Sequence, residues 1–455
     1  MHFLKGFTLF FLLCTSVFAN PVTVGSFSDG RDHPMLIAFK DNAWTFINNI
    51  SGVPPSLQPI YMLKVDCKNN DCIAVGGGIG SDSTWPYILR SVDNGSSWHF
   101  PFSVRDVPSG AFEFEISLVS CQNGTCVAAG SYHQFATCNY PIFLTSQDKG
   151  NQWKVESIAN LPNIGSDCVY PTALKCYRDI CIAVGKHIKY YNFMTSDPLL
   201  FLSQNSGKTW GYLDKSSMHD LPSTLKNANT AGVDCIDKTC VVVGSYGDST
   251  ESSYPLILRS TDEGRTWNFL KNLPAFPAAK NITLKHVACI NEMCVAGGMA
   301  ETGNVRQLLL MKSEDKGASW SFVDPIEEWP RSARFKDITA LVCLATGCIL
   351  TGELQDDSPN ADPYDTLPFF LVKLASNNTW TFTQRITGLS LPESHPSLYA
   401  TNCDAEKCYA VGAYDKDSTY LPLILESKDG GFSWNFSKDV INLPSNFKNG
   451  VLYDV

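Results

Sequence analysis

The sequence contains no cluster of Lys and Arg, and its formal net charge is −10. Without such a cluster the protein has no obvious surface for neutralising phosphates, so we expect no nucleic-acid partner. The eight histidines are scattered, without a His-x-His or His-Glu-x-x-His motif, and we predict neither a metal site nor a cofactor. Helical periodicity is scarce, whereas short β-branched and aromatic runs are bounded by Gly, Pro, Asn and Asp. This pattern predicts an all-β chain.

Long apolar runs are missing after the N-terminal segment, so we expect no later membrane span. Residues 1–19 combine a lysine, a short apolar run and a final Val-x-Ala, which is typical of a secretory signal peptide. We predict cleavage before Asn20 and a secreted or periplasmic protein in which residues 20–455 form a single domain. A lipoprotein anchor on Cys14 is the alternative, although the residues before this cysteine are not small.

A polar motif that ends in tryptophan recurs along the chain. It has the form Ser-x-(Asp/Asn)-x-Gly-x-x-Trp, as in "RSTDEGRTWNF". Ser and Asp side chains accept hydrogen bonds from turn amides, Gly permits positive φ, and Trp buries a large ring. We therefore interpret the motif as a structural turn and not as an active site. Its copies begin at Arg90, Thr145, Leu202, Arg259, Lys312 and Glu426, and incomplete copies begin at Ala38 and Lys373.

Cysteines form a second repeat between the tryptophan motifs. Removal of the predicted signal peptide leaves an even number of cysteines, most of them in Cys-x4-Cys pairs, and an even number in an exported chain predicts disulfides. A further bond between Cys138 and Cys168 would link neighbouring repeats. The seven predicted hairpin pairs are Cys67–Cys72, Cys121–Cys126, Cys176–Cys181, Cys235–Cys240, Cys289–Cys294, Cys343–Cys348 and Cys403–Cys408.

The spacing of the cysteine pairs, as from Cys67 to Cys121, suits a blade of four short strands with its loops. Seven such units are complete. The segment from Pro21 aligns with strands two to four of a unit, and the segment from Phe447 aligns with strand one. The sequence thus predicts an eight-bladed β-propeller of four-stranded antiparallel blades, closed by N- and C-terminal strands in one blade. A frayed tail would instead leave seven blades and an N-terminal appendage.

These repeats resemble the Asp-box, or bacterial neuraminidase repeat, β-propeller superfamily. That group includes sialidases, sortilin-type receptors and photosystem II assembly factors, and the resemblance covers the chain after residue 19. It implies that the box, for example Ser260, Asp262, Gly264 and Trp267, is a fold element remote from the ligand face. The box therefore indicates architecture and says little about activity.

Strand alternation places the cysteine hairpins and the boxes at one face and the other loops at the opposite face. Aromatic and acidic residues dominate these opposite loops, and tyrosine and tryptophan offer flat amphipathic surfaces to sugars or protein segments. We assign no catalytic residue. The candidate binding residues are Trp85, Tyr132, Tyr140, Tyr190, Tyr191, Tyr246, Tyr254, Asp357, Asp362, Tyr364, Asp365, Tyr414, Asp415 and Tyr420.

The function expected from these features is that of a monomeric protein- or glycan-binding or assembly module. The alternative is an extracellular, sialidase-like glycoside hydrolase that uses carboxylates of the loop face. A sialidase would also need three arginines for the substrate carboxylate, and Arg31 lacks the Arg-Ile-Pro context of that family. A role in assembling membrane complexes is suggested by the family resemblance alone.

Overall fold

The chain folds into short β-strands connected by turns. A computed structural model describes residues 20–455 except 54–60, 78–84, 102, 135–138, 163–166, 190–194, 249–251, 277–279, 304, 324, 331–333, 356–365, 375–378, 391–394, 405–406 and 438–439. Residues 1–19, the predicted signal peptide, lie outside this range. Within the described residues, no helix has the length and apolar character needed to cross a membrane.

Apart from one turn of 3-10 helix at Lys215–Ser217, the regular structure in the described ranges is β-strand. The strands of the first half are β1 (Val22–Ser28), β2 (Asp32–Lys40), β3 (Ala43–Phe46), β4 (Ile50–Ser51), β5 (Tyr61–Lys68), β6 (Asp71–Gly77), β7 (Tyr87–Ser91), β8 (Trp98–His99), β9 (Val104–Arg105), β10 (Ala111–Gln122), β11 (Thr125–Gln134), β12 (Asn139–Ser146), β13 (Trp153–Val155), β14 (Ile158–Ala159), β15 (Cys168–Tyr177), β16 (Ile180–Lys189), β17 (Thr195–Ser203), β18 (Trp210–Leu213) and β19 (Met218–His219). Those of the second half are β20 (Lys226–Ile236), β21 (Thr239–Gly247), β22 (Ser253–Ser260), β23 (Trp267–Phe269), β24 (Asn281–Ile290), β25 (Met293–Thr302), β26 (Val305–Ser313), β27 (Ser321–Phe322), β28 (Ile326–Glu327), β29 (Phe335–Leu344), β30 (Gly347–Gln355), β31 (Thr366–Leu374), β32 (Trp380–Thr383), β33 (Ile386–Thr387), β34 (Ser397–Cys403), β35 (Cys408–Lys416), β36 (Thr419–Ser427), β37 (Trp434–Phe436), β38 (Val440–Ile441) and β39 (Asn449–Asp454).

The strands of the described residues pair into six hydrogen-bonded sheets. Four have five strands, in the orders β38-β3-β2-β1-β39, β14-β18-β17-β16-β15, β28-β32-β31-β30-β29 and β33-β37-β36-β35-β34. The other two, of ten and nine strands, contain two repeats each. Narrow contacts join the repeats in these larger sheets, between Glu115 and Gly77 in one and between Ser253 and Asn281 in the other.

Each five-stranded sheet contains one strand more than the predicted four. In one of them, β15, β16, β17 and β18 are the antiparallel strands of the repeat. The added strand, β14, lies in the connection before the repeat and pairs in parallel with β18, with Ile158 opposite Trp210. Because β18 would otherwise be an open edge, the passing connection covers its unpaired backbone groups. The predicted four-stranded layout was therefore incomplete.

The two ends of the described chain meet in one sheet. Strand β39 pairs antiparallel with β1, and β38 pairs in parallel with β3. The Asp454 carboxylate, which is buried, accepts hydrogen bonds from the Val65 N–H at 2.9 Å and from Lys64 Nζ at 2.6 Å. The last strand is thereby tied both to the first strand and to the repeat that follows it.

The hydrophobic core lies between adjoining sheets. Ile182 and Leu200 of one repeat form a cluster with Leu256, Leu258 and Trp267 of the next. The indole ring of such a tryptophan is large, and its burial stabilises the fold only when the neighbouring repeat is in place to cover it. The stability of one repeat therefore depends on its neighbours.

A glycine in the second strand of each repeat allows a close approach of the first strand. Strand β20 has a bulge between Thr230 and Gly232. Gly244 of the neighbouring strand β21 lies directly opposite Thr230. A β-carbon at Gly244 would overlap the carbonyl oxygen of Asn229. The equivalent glycines are Gly25, Gly76, Gly130, Gly185, Gly298, Gly352 and Gly412. This contact explains the glycine that follows each second cysteine by four residues.

All seven predicted hairpin disulfides are present, and the two Cα atoms of each pair are 4.1 Å apart. Each pair joins directly opposed residues of the first and second strands, as Cys235 and Cys240 do. Cys168 is buried. Its predicted partner, Cys138, lies outside the described residues, so this eighth bond stays a prediction.

We expect Gly244→Ala to lower the free energy of unfolding by about 1–3 kcal/mol, because the added methyl group must push β20 away from β21. Gly211→Ala is the matched control, since a β-carbon there meets only Leu202 O, at 3.9 Å. Thermal or denaturant unfolding of both variants measures the difference. Equal stability losses in the two variants would show that the close approach at Gly244 is unimportant.

Candidate functional site

The six complete boxes form turns with the same hydrogen bonds. Gly95 N–H donates to Ser91 Oγ at 2.9 Å, and Ser91 Oγ donates to Asp93 Oδ1 at 2.7 Å. Asp93 also accepts from the N–H of Ser97 at 2.9 Å, and the Trp98 indole N–H donates to the carbonyl of Gly95 at 3.0 Å. Turns with equivalent bonds begin at Ser146, Ser203, Ser260, Ser313 and Ser427.

The box aspartates are held in the charged form by these turns. Burial raises the pKa of Asp315, but hydrogen bonds from Ser319 and Ser313 outweigh this effect and bring the pKa to about 2. Burial is likewise outweighed by hydrogen bonds at Asp262, whose pKa is lowered. In the turn that carries Asn205, the amide oxygen accepts from the Thr209 N–H at 3.0 Å. The turn therefore needs an acceptor at this position rather than a negative charge.

The boxes also join neighbouring repeats. Gly264 has φ of +83°, and a β-carbon there would meet Ile182 Cδ1 of the preceding repeat at 2.8 Å. Arg259 Nε donates to the carbonyl of Lys316, in the next box, at 2.9 Å. Trp267 is completely buried. These contacts are consistent with the structural role predicted for the box.

At the opposite end of the sheets, several predicted binding tyrosines pair within their own hairpins. Tyr132 and Tyr140 are opposed in register, and their rings stack with centroids 5.6 Å apart. Tyr246 and Tyr254 do the same at 5.5 Å. Cross-strand aromatic pairs of this kind stabilise a hairpin. From the sequence alone, such cross-strand tyrosine pairs cannot be distinguished from tyrosines that contact a ligand, because both kinds of tyrosine lie near turns.

Other predicted residues of this end have different environments. The ring of Tyr414 packs edge-on against Phe436, with centroids 5.1 Å apart. Asp415 closes a tight turn by accepting from the Ser418 N–H at 2.9 Å. Tyr420 is 53% exposed and Trp85 is 43% exposed, so both remain available for contacts. The predicted residues Tyr190, Tyr191, Asp357, Asp362, Tyr364 and Asp365 lie outside the described residues.

A group of tyrosines and carboxylates that was not predicted lies near the same end, on strands from five repeats. We call Tyr61, Glu115, Glu353, Tyr399 and Tyr453 the rim cluster. Tyr61 Oη donates to Glu115 Oε2 at 3.3 Å, and the rings of Tyr399 and Tyr453 are 5.9 Å apart. Burial, reinforced by Glu115, raises the pKa of Tyr61 to about 12.

The rim cluster continues around the sheet that holds the chain ends. Tyr453 Oη and Ser26 Oγ are 3.2 Å apart. Burial raises the pKa of Tyr399, with further contributions from Glu353, Tyr453 and Tyr420. Tyr399 is nevertheless 46% exposed. Its ring can therefore contact a ligand while its hydroxyl stays protonated.

Burial also raises the pKa of Glu353, partly offset by the neighbouring Lys336 and by a hydrogen bond from Ser397. A half-buried carboxylate whose charged form is disfavoured is stabilised by a cation or a hydrogen-bond donor. The rim cluster thus combines an exposed aromatic ring with two carboxylates, of which Glu353 is half-buried. The arrangement can hold a positively charged or hydroxyl-rich group.

Beside the rim cluster, Tyr61 and Glu115 line a cavity of about 110 Å³ together with Glu113 and His133. His133 Nδ1 lies 3.4 Å from Glu113 Oε2. Small-molecule sites usually measure about 300–1,000 Å³, so this cavity accommodates only a small group. Cavities of about 200 to 320 Å³ occur at the box end of the sheets instead.

Three of the described arginines that were considered for a substrate carboxylate have separate environments. Arg306 Nε binds Glu301 of its own hairpin at 2.9 Å, and Arg105 lies on the outer strand β9 opposite Lys154. Arg31 is exposed in the turn between β1 and β2. Across the described ranges, no three His, Cys, Asp or Glu side chains are grouped closely enough to hold a metal ion.

Sequence inspection missed the rim cluster because four of its five members belong to first strands, which look alike in every repeat, and Glu353 belongs to a second strand. One signal was available: Tyr399 stands four residues before the first cysteine of its repeat, where the other complete repeats have Leu, Ser, Thr, Ala or Lys. In the structure this position is the extra residue of the bulge between Leu398 and Ala400.

Comparison with known proteins gives likenesses of fold only. No protein-family model and no curated protein matches the chain. A structure described as YCF48 bound to D1 peptide is 13% identical with a TM-score of 0.43, and the match covers 84% of this chain and 94% of that chain. A PL25 ulvan lyase is 12% identical with a TM-score of 0.46, over 82% of this chain and 86% of the other.

Trypanosoma rangeli sialidase in complex with sialic acid is 14% identical with a TM-score of 0.39. The match covers 70% of this chain and 54% of the sialidase, so the chain spans about half the length of that enzyme. Similar structures thus include both peptide-bound and carbohydrate-active proteins. The repeats and the box turns define the class: the chain is an all-β, propeller-like protein that resembles the Asp-box superfamily.

We expect Asp315→Asn to keep the box turn, because Asn205 serves in an equivalent turn, and to change the acid dependence of stability. The folded-state pKa of Asp315 is lowered from 3.8 to about 2. Its contribution is therefore fully present above about pH 4 and is lost as the pH falls toward 2. The difference in Tm between wild type and variant should shrink over this interval. Asp32→Asn, at an exposed aspartate, is the control, and a difference that stays constant with pH would contradict the assignment.

Proposed function

We propose that the protein is a monomeric, secreted or periplasmic propeller of eight blades that binds a protein or glycan ligand at the end of the sheets opposite the boxes. Support for eight blades comes from the sheets: four hold one repeat each and two hold two, if the sheet of the chain ends is counted as a repeat. The seven hairpin disulfides support an extracytoplasmic location, because such bonds persist in oxidising compartments.

The observation that carries the binding proposal is the rim cluster. Tyr399 is exposed, packs against Tyr453 and lies close to Glu353. A tyrosine ring gives a large contact area at a small entropic cost, and exposed aromatic residues often dominate binding energy. Residues from the first and last repeats meet there, so a ligand at this place would contact the chain where its ends are paired.

Of the two ligand classes, the rim cluster favours a protein segment that carries Lys or Arg. Glu115 and Glu353 supply negative charge, and the tyrosine rings supply faces for cation–π contacts worth about 0.5–2 kcal/mol each. The net charge of −10 would attract a basic partner over a distance. A neutral glycan, which offers hydroxyls but no positive charge, would leave these carboxylates less well compensated.

The hydrogen bond between Tyr61 and Glu115, next to Glu113 and His133, favours a glycoside hydrolase as the second candidate. Two carboxylates near one tyrosine can supply acid–base chemistry. The cavity of about 110 Å³ is small for a sugar ring and its substituents. Release of fluorophore from a panel of fluorogenic glycosides, abolished by Glu115→Gln, would establish this function in place of binding.

We expect Tyr399→Ala and Glu353→Gln each to weaken binding of a labelled peptide of alternating Lys and Ser at least tenfold, because a ring face and a carboxylate are removed. Fluorescence anisotropy at low and physiological salt measures the affinity. Tyr254→Ala is the matched control, since Tyr254 is also exposed but is paired with Tyr246 in another repeat.

A matched Glu-Ser peptide should bind at least tenfold more weakly than the Lys-Ser peptide. The proposal would be wrong if Tyr254→Ala weakened binding as much as Tyr399→Ala, or if the two peptides bound equally. Binding on a glycan array that is lost in Tyr399→Ala, without peptide binding, would assign the rim cluster to a glycan.

We expect the double variant Ser26→Cys with Val451→Cys to form a disulfide that ties the chain ends, since these two residues are opposed in register. A bond that closes so long a loop stabilises a protein by about 2–4 kcal/mol in typical cases. Mass spectrometry and thermal unfolding with and without reductant measure formation and effect. Failure to form the bond while the single variants fold normally would favour a frayed tail and seven blades.

A further inference from the structure

Lys373 occupies the position at which the complete boxes have their serine. It lies opposite Cys348 on the neighbouring strand, as Ser260 lies opposite Cys240 in a complete repeat. In complete boxes this serine binds the glycine amide and the aspartate, whereas the box after Lys373 keeps the spacing to its tryptophan but has neither the aspartate nor the glycine. The indole N–H of Trp380 in this repeat is buried without a hydrogen-bond partner among the described residues. The sequence has therefore exchanged a turn-forming hydroxyl for an amine.

Lys373 is 8% exposed. No described residue offers its ammonium group a hydrogen bond or an ion pair. The charged groups that act on it are Lys312, which repels it, and Glu314, which attracts it, and these two bind each other at 2.8 Å. A buried ammonium without a counter-ion is costly, and the cost is recovered only if something binds to it.

Two adjoining cavities meet at this lysine. One, of about 250 Å³, lies between the repeat of Lys373 and the next repeat, and the other, of about 320 Å³, lies toward the preceding repeat. Leu344 and Gly347 line both cavities together with Lys373. Val342 and Ile349 add apolar surface to the first cavity. Lys373 thus borders a partly apolar space.

The other charges around the first cavity already have partners. Lys407 and Lys428 both approach Glu426, at 3.3 and 3.8 Å. Asp429 accepts hydrogen bonds within its own box, and Asp404 accepts from the Lys407 N–H at 2.7 Å.

The second cavity is lined by Glu292 and Glu314, of which Glu314 is paired with Lys312. Lys373 is the cation at the junction of the cavities that lacks a partner among the described residues.

We propose that Lys373 and the cavity of about 250 Å³ bind a small carboxylate with a short apolar body. The ammonium group would pair with the carboxylate, and Val342, Leu344 and Ile349 would cover the apolar part. A single amine suits one negative charge rather than a phosphate, which usually takes several donors. The site lies at the box end of the sheets and is independent of the binding proposed at the rim cluster.

Burial, together with Lys312, lowers the pKa of Lys373 in the free protein. A bound carboxylate would favour the charged form and raise this pKa again. Binding should therefore take up protons when the pH lies near the pKa of the free protein. This linkage distinguishes pairing with the amine from simple filling of an apolar cavity.

The test is calorimetric titration of the full chain with butyrate, butyramide and butylammonium. We expect butyrate to bind at least tenfold more tightly than the other two and Lys373→Met to reduce butyrate binding at least tenfold. Lys208→Met, at an exposed lysine of another box, is the control. A second readout is NMR of ¹³C-dimethylated lysines, in which the Lys373 signal should titrate at higher pH with butyrate present.

Equal binding of butyrate and butyramide would overturn the proposal, as would the absence of butyrate binding. An unchanged Lys373 titration in saturating butyrate would overturn it as well. Lys373→Ser restores the residue of the complete boxes, so it provides a folded variant should Lys373→Met be unstable, and it is expected to lose butyrate binding equally.

Discussion

The architecture depends on the pairing of the first and last strands in a single sheet. Strand β1 would be an open edge without β39, and the repeat that follows would lose the partner of Val65 and Lys64. Asp454 contributes to this pairing through one side chain: its carboxylate is buried and links the last strand to residues from a distant part of the chain. Burial raises the pKa of Asp454, and the charge and hydrogen bond of Lys64 oppose this shift. The hydrogen bonds that it accepts offset part of the cost of burial.

Between the ends, each repeat is supported by its neighbours through the same two devices. The box packs its glycine and its tryptophan against the preceding repeat, and the second-strand glycine lets the bulged first strand approach. Neither of these two features uses a reactive side chain. Their repetition explains why so large a part of the sequence pattern is occupied by structure and so little of it indicates activity.

Departures from the repeat are therefore the most informative positions. Tyr399 is an aromatic residue at the bulge position, where the other complete repeats have none, and becomes part of the rim cluster; Lys373 replaces a box serine and lines two cavities. In both cases a polar or aromatic group stands where the neighbouring repeats show that the fold does not require it. Such groups are retained at a cost in stability unless they bind something.

The sequence by itself determined the local features: the period, the all-β class, the seven disulfide pairs and the box turns, as the Ser260–Trp267 turn illustrates. These depend on residues close together in the chain, where composition and spacing limit the possible geometry. Tertiary structure alone decided that Tyr132 and Tyr140 stack on each other, that Tyr61, Glu115 and Tyr453 meet, and that the connections add a fifth strand. Tyr132 and Tyr140 are close in the chain and meet through the register of their hairpin, whereas the other contacts join residues tens to hundreds of positions apart. Their proximity is set by how the sheets are arranged around one another and leaves no local mark on the sequence.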